Sequence, residues 1–393
     1  MTQPTAGRAF LPFALPDITE EEVQAVADTV RSGWLTTGPN AAAFESEVAQ
    51  FLGADDLQCI AVNSATAGLH LAVEAVGVGP GDDVLVPAWT FTSTAEVVRY
   101  MGANPVLVDV DPVSLNIDLD DARGRVTDKT VAIMPVHMAG LPVDAGALKA
   151  FADEFGLKVV EDAAHAFPVR SAGRWVGDSD SDAVVYSFYA TKTMTTGEGG
   201  MVVVKDPALA ARMRTMRLHG ISRDVFDRYR STTPAWRYEV VAPGYKYNLP
   251  DTAAAMGRVQ LRRARSMRDA RRAIAERYTR AFADLPIMCP RFDADPDSHA
   301  WHLYIIRVDE GRTGLHRDRF IERMSEEGVG TSVHFIPLHL HPYWRDHCGV
   351  VEGDLPVASA EFERTVSLPI FSSMTHEQVE AVVDAVRRVV GQC

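Results

Sequence analysis

The run Ala183-Val-Val-Tyr-Ser-Phe-Tyr-Ala-Thr-Lys-Thr-Met-Thr-Thr-Gly-Glu-Gly-Gly-Met-Val-Val-Val204 sets one lysine, Lys192, in a small, hydroxyl-rich loop between two apolar strands. The flanks, residues 183–188 and 201–204, are continuous apolar runs. Such runs are expected of strands covered on both faces, whereas a half-exposed strand alternates. Working outward, short apolar runs recur at 59–62, 83–87, 106–110, 131–136 and 158–161. Helical stretches near 65–76, 92–100 and 144–155 lie between them. The alternation predicts an α/β fold around a mostly parallel seven-stranded sheet.

The rest of the chain frames that sheet. Thr19-Glu20-Glu21-Glu22 is a capping box, and Val23, Val26, Ala27 and Val30 follow at helical spacing. That helix should stop near Ser32-Gly33, leaving Trp34 to Pro39 as a loop. Residues 207–216 read as a helix, and 221–243, with Tyr229, Trp236 and Tyr238, as an irregular exposed excursion. A long helix over 252–282 would join two domains, 1–255 and 256–393. Its Arg262, Arg263, Arg265, Arg268, Arg271 and Arg272 read as a mostly solvated face. From residue 286, strands at 303–308 and 331–335, a helix at 317–327 and a helix capped by Thr375 predict a smaller α+β C-terminal domain. The N-terminal segment is free to pack on it.

The chain has 393 residues, too many for one small core. Its net charge of −14 argues against nucleic-acid binding. A phosphorylated ligand would then need local positive potential, from helix N-termini and a few lysines or arginines. No apolar run is long enough for a membrane span, and the start lacks a signal-peptide layout. Cys59, Cys289, Cys348 and Cys393 are scattered and read as free thiols of a cytoplasmic protein.

Two residues carry the chemistry. Val-Val-Glu-Asp-Ala-Ala-His-Ala puts Asp162 at the tip of an apolar strand, upstream of Lys192. Pyridoxal phosphate (PLP) needs such a pair: a lysine for the Schiff base and an aspartate to keep the pyridine nitrogen protonated. Side chains alternate along a strand, so Glu161 should face away from Asp162. His165 lies just beyond and could meet the cofactor's phenolic oxygen. Asn63-Ser64-Ala65-Thr66-Ala67-Gly68, between strand and helix, suits a phosphate, with Ser187 adding a hydroxyl. Trp89-Thr90-Phe91 offers a ring to stack on a flat cofactor at a strand's C-terminal end. Each has a structural alternative: a helix cap for Ser64, Thr66 or Asp162, and ordinary packing for the rings. Thr331-Ser-Val-His-Phe-Ile-Pro-Leu-His-Leu-His341 tempts a metal reading, but no tetrahedral set is completed at recognisable spacing. One of these histidines is expected in a substrate cleft.

In order along nearly the whole chain, these motifs resemble the DegT/StrS-like sugar-nucleotide aminotransferases, which are fold-type I PLP enzymes. Also similar are Ser32–Pro39, Pro135-Val-His-Met-Ala-Gly140, Gly244-Tyr-Lys-Tyr-Asn-Leu249 and His299-Ala-Trp-His-Leu303. The last two look especially like the UDP-4-amino-4-deoxy-L-arabinose aminotransferases. The resemblance implies Lys192 as the Schiff-base lysine and Asp162 as the pyridine-nitrogen partner. It implies Phe91 against the ring, His165 at the phenolic oxygen, and Ala65, Thr66 and Ser187 on the phosphate. Asn248 would reach the cofactor of a neighbouring subunit, making a homodimer with shared sites. Trp34, Thr36 and His334 would line the substrate cleft.

The implied reaction moves an amino group from L-glutamate to the C4 keto group of a nucleotide-linked sugar. Ala-, Arg-, Asp- and Val-rich composition suggests a high-GC genome, where 4-keto-6-deoxyhexoses feed antibiotic glycosides. A dTDP-4-keto-6-deoxyhexose is therefore preferred over a UDP-4-keto-pentose or a 3-keto sugar. Some relatives are dehydratases with histidine in place of this lysine, and Lys192 argues against that branch. Lys192 and the acidic net charge also argue against a non-catalytic regulatory homologue.

Overall fold

The computed structural model describes residues 10–221, 238–293, 295–351 and 353–391. Strands β1 (Gln58–Val62), β2 (Asp83–Pro87), β3 (Asn104–Val108), β4 (Thr130–Ile133) and β5 (Lys158–Asp162) alternate with helices. A two-residue pair, β6 (Arg170–Ser171) and β7 (Arg174–Trp175), precedes β8 (Ala183–Ser187) and β9 (Gly200–Val204). The main sheet has seven strands in the order β1-β9-β8-β5-β4-β2-β3. Contacts β3-β2-β4-β5-β8 are parallel, and β9 runs antiparallel to both neighbours. β8 and β9 are buried throughout, which explains their unbroken apolar sequence.

Direction of β9 has a consequence for the site. Two parallel strands need a crossover, but an antiparallel pair can be joined by a loop at one end of the sheet. The loop carrying Lys192 therefore folds back over the C-terminal ends of β5 and β8, where α/β sheets take ligands. The helix Ala65–Ala75 lies close on the sheet through Gly68, where a Cβ would sit 2.7 Å from Val185 Cγ1.

The helix Asp251–Ala281 spans two apolar cores. Its Ala254, Leu261 and Ala264 pack with the sheet's Tyr186 and Val203. Its Ile274, Tyr278 and Ala281 pack with the antiparallel pair β10 (Tyr304–Arg307) and β11 (Thr365–Leu368) and with the helix His376–Gly391. Leu11 belongs to this second core and bridges Val329, so the N-terminal segment lies on it. The capping box at Thr19 and Glu22 is formed, and the helix it opens ends at Ser32.

Several expectations need correction. Residues 331–335 form no strand; only Ser332 bridges Ser367. The partner strand there is β11, which the sequence reading passed over. The helix Pro39–Leu52 was also not anticipated. The arginine face is not uniformly solvated: Arg268 and Arg271 are buried. Of the excursion at 221–243, residues 222–237, with Tyr229 and Trp236, lie outside the described residues. No helix among the described residues is long and apolar enough to cross a membrane.

Candidate active site

A cavity of about 390 Å³ opens at the C-terminal ends of β1, β2, β5 and β8. It collects Ala65, Thr66, Phe91, Asp162, His165, Ser187, Lys192 and His334 in its wall. Trp34, Thr36 and Asn248 are not part of this chain's own wall. Trp34 Nε1 donates to Thr37 O at 3.3 Å, and Asn248 Nδ2 donates to Thr37 Oγ1 at 2.6 Å. Loop 34–38 and Asn248 thus form one hydrogen-bonded unit, reinforced by Asp251, whose carboxylate accepts from the N–H of Gly38, Asn40 and Ala41.

Asp162 is the last residue of β5 and its carboxylate is buried. Thr94 Oγ1 donates to Oδ2 at 2.8 Å and the Ala164 N–H to Oδ1 at 3.1 Å. Burial pushes its pKa up; the two hydrogen bonds and the Lys192 charge oppose this without cancelling it. The carboxylate therefore lacks a full positive partner. Lys192 is itself buried, and burial lowers its amine to about 8, with Asp162 pulling upward and Arg271 downward. One proton balance thus links the two residues across the cavity.

The neighbouring histidines are neutral. Burial first, then Lys192, holds His165 well below its usual value, and the same two causes lower His334 to about 4. His334 Nδ1 lies 3.0 Å from Ser367 Oγ. His165 Nδ1 is sealed from solvent without a partner. Of the three histidines at 334, 339 and 341, His334 alone lines this cavity; His339 Nε2 is bonded to Ser359 Oγ at 2.8 Å. Among the described residues no group of three or more His, Cys, Asp or Glu could hold a metal ion.

The wall fits pyridoxal phosphate. Ser64 caps the helix Ala65–Ala75 by accepting the Ala67 N–H at 3.1 Å, which leaves the first turn's N–H groups of Ala65 and Thr66 for an anion. Gly200 lets the backbones close up beside this turn: a Cβ there would lie 2.7 Å from Tyr186 O and 2.9 Å from Ala65 N. Ser187 borders the same cavity. Phe91 is half exposed on the wall, with its ring 5.5 Å from Phe335. The incompletely paired Asp162 suits a protonated ring nitrogen.

Sequence reasoning missed His302, Phe335 and Phe13, all in the wall. Phe335 and Phe13 carried no local signal, because they come from segments distant in the chain and pack against the core of the main sheet. His302 sat inside a quoted motif, but its spacing gave no hint of direction.

Comparison with known proteins accounts for this arrangement. Residues 16–387 match the DegT/DnrJ/EryC1/StrS aminotransferase family. Spore coat polysaccharide biosynthesis protein SpsC of Bacillus subtilis is 46% identical over 382 residues, covering 97% of each chain. The aminotransferase TlmJ of Streptoalloteichus hindustanus is 34% identical with a TM-score of 0.88, covering 97% of this chain and 99% of TlmJ. Spr1654 of Streptococcus pneumoniae, solved in a PLP form, is 32% identical with a TM-score of 0.88, covering 98% of this chain and 99% of Spr1654. A mostly parallel sheet, a lysine loop over its C-terminal end and a match across nearly the whole chain agree: this chain belongs to the DegT/DnrJ/EryC1/StrS family and is a PLP-dependent aminotransferase.

Proposed function

We propose that this enzyme transfers an amino group from L-glutamate to the C4 keto group of a dTDP-4-keto-6-deoxyhexose, giving a dTDP-4-amino-4,6-dideoxyhexose. A sugar substrate is supported by the 46% identity to a protein named for polysaccharide biosynthesis. The observation that carries the nucleotide is a second hollow of about 740 Å³ beside the Lys192 cavity. It shares Thr90, Phe91 and Phe335 with that cavity and adds Tyr100, Tyr343, Trp344 and Arg99. Aromatic faces beside a guanidinium suit a flat base and a diphosphate. Binding energy from that remote part can position the keto carbon near Lys192.

Each residue has a role in this reading. Bound PLP supplies an electron sink for negative charge at the donor's Cα. Lys192 holds the cofactor and, once freed, its neutral Nζ takes the proton from the donor's Cα. Asp162 keeps the ring nitrogen protonated. Ala65, Thr66 and Ser187 take the phosphate, Phe91 stacks on the ring and His165 meets the phenolic oxygen. His334 faces the sugar nucleotide in its own chain's cleft, and Trp34 and Thr36, on the same hydrogen-bonded unit as Asn248, face that of the partner subunit. Asn248 serves the partner subunit's cofactor in a cytoplasmic homodimer.

The decisive experiment gives purified enzyme, PLP and glutamate to a panel of dTDP- and UDP-linked keto sugars and the free sugars. Product mass and NMR then locate the nitrogen. Nitrogen at C4 of a dTDP-6-deoxyhexose is expected. Preference for a UDP-4-keto-pentose, which the Gly244–Leu249 motif favours, would move the assignment to that substrate. Nitrogen at C3 would overturn the regiochemistry, and equal turnover of free sugars the nucleotide. Mixed dimers of Lys192→Ala and Asn248→Asp should regain part of the activity. No recovery after proven subunit exchange would remove Asn248 from the partner's site.

A further inference from the structure

An amino-acid donor brings a carboxylate into the cavity, and a buried carboxylate needs a hydrogen-bond donor or a positive field. Among the described residues that form the wall, Lys192 is the one lysine or arginine, and its amine is taken up by the reaction. One stretch of wall, His302 and Ile370, nevertheless has a cation directly behind it. Arg271, only 2% exposed, donates from Nη1 to Ile370 O at 2.6 Å, and more weakly to His302 O at 3.4 Å and Trp301 O at 3.5 Å. Its Nε has no partner. Asp17, whose charge it feels, is already bonded to Arg263 at 2.5 Å and Ser372 at 2.8 Å. The guanidinium is thus held by carbonyl oxygens alone, and its field reaches the cavity through His302.

His302 is aimed by its backbone. Trp301 before it is left-handed, with φ 50°, a costly conformation for a bulky residue. The Trp301 N–H donates to His299 Nδ1 at 2.8 Å, and the two rings stack at 3.9 Å. Ala300 N donates to Gly140 O at 2.9 Å and Leu303 N to Ala139 O at 3.2 Å, so both flanks are pinned. The His302 ring packs 4.3 Å from that of His165. Its Nδ1 is sealed without a partner, which leaves Nε2 as the nitrogen able to meet a ligand. No other step described above uses this ring.

We propose that His302, backed by the guanidinium of Arg271, is the part of the wall that recognises a carboxylate of the amino donor. His302 donates from Nε2 to a carboxylate oxygen. Arg271 acts through it, as a positioning residue that supplies the field and holds the His302 and Ile370 carbonyls. The assignment rests on the reading that the donor is an amino acid such as glutamate.

Two measurements on the PLP-loaded enzyme test it: calorimetric titration with glutarate, a dicarboxylate without an amino group, and the glutamate half-reaction followed by cofactor absorbance. His302→Leu should weaken glutarate binding and raise the half-saturating glutamate concentration about tenfold or more. The maximal rate of the half-reaction should stay within about threefold, because the lost bond serves binding. His302→Gln, whose amide nitrogen falls near the position of Nε2, should restore most of the affinity. Arg271→Met should show the same affinity loss; if it does not fold, the His302 pair still decides. Unchanged glutarate affinity in His302→Leu, or a loss of rate without loss of affinity, overturns the inference. So does a wild-type enzyme that binds no glutarate. Glutarate binding that depends on His302, without any reaction of glutamate, would leave the inference standing and remove glutamate as donor.

Discussion

Glu161 and Asp162 are adjacent carboxylates on one strand, both buried, and they live in opposite environments. Glu161 points away from the cavity and pairs with His137 Nε2 at 2.8 Å, with Ser179 Oγ donating at 2.5 Å. His137 Nδ1 accepts the Val143 N–H at 3.0 Å, so its proton sits on Nε2, facing Glu161. Burial pushes the Glu161 carboxyl up, but His137 and the serine hydroxyls outweigh it and hold the carboxyl below its usual value. Asp162 keeps a raised value because its partners are weaker. Completed polar groups hold a fold together, whereas buried groups left incomplete wait for a ligand.

Removal of the lysine that faces the incomplete carboxylate should have the largest effect. Lys192→Ala should lose turnover by about 10⁴-fold or more while still binding the cofactor. Borohydride reduction of the wild type, followed by peptide mapping, should put the pyridoxyl group on Lys192. A label on another lysine would end the assignment. Asp162→Asn should come next, slowing both half-reactions roughly a hundredfold or more in single-turnover measurements. An amide cannot balance a protonated ring nitrogen. Near-normal rates in that variant would move the role elsewhere.

Much of this contrast was legible in the sequence. Period-two alternation along β5 already separated Glu161 from Asp162, and continuous apolar runs located all seven strands of the main sheet to within a few residues. What stayed hidden depended on contacts distant in the chain. His137 sat inside a quoted motif, but nothing in its spacing marked the pairing with Glu161 of β5. Arg271 looked like its solvated neighbours because arginine content reports composition, while burial reports which side the helix turns to the second core. Residues 331–335 have strand-like composition but make a single bridge, Ser332 to Ser367, on the edge of β11 away from β10. Loop 34–38 and Asn248 were separately readable as motifs; their mutual hydrogen bonds were not.

Glu161 supplies the opposite arm. Glu161→Gln leaves His137 without its charged partner and should destabilise the fold by about 3 kcal/mol, read as a lower denaturation midpoint. Activity per folded molecule should stay close to wild type, because the side chain points away from the cavity. A variant that is stable but inactive would reverse the roles given to the two faces of β5.

The smallest effect is a shift of pH dependence, and it tests whether the two faces are electrically separate. The neutral Lys192 amine is the form that accepts a proton, and its value of about 8 places that form above pH 8. The glutamate half-reaction should therefore slow as pH falls through about 8, by about tenfold per unit well below it. His165 and His334 do not produce this limb, since burial keeps both below the usual histidine range. Asp162 favours the charged amine, so Asp162→Asn should move the limb to lower pH, on top of its slower rate. Glu161→Gln should leave the limb in place, because the charges that reach Lys192 come from Asp162 and Arg271. Stopped-flow absorbance across pH 6 to 10 (about four units, enough to bracket the midpoint) gives all three profiles. Equal shifts in both variants would show that β5 does not insulate one carboxylate from the other.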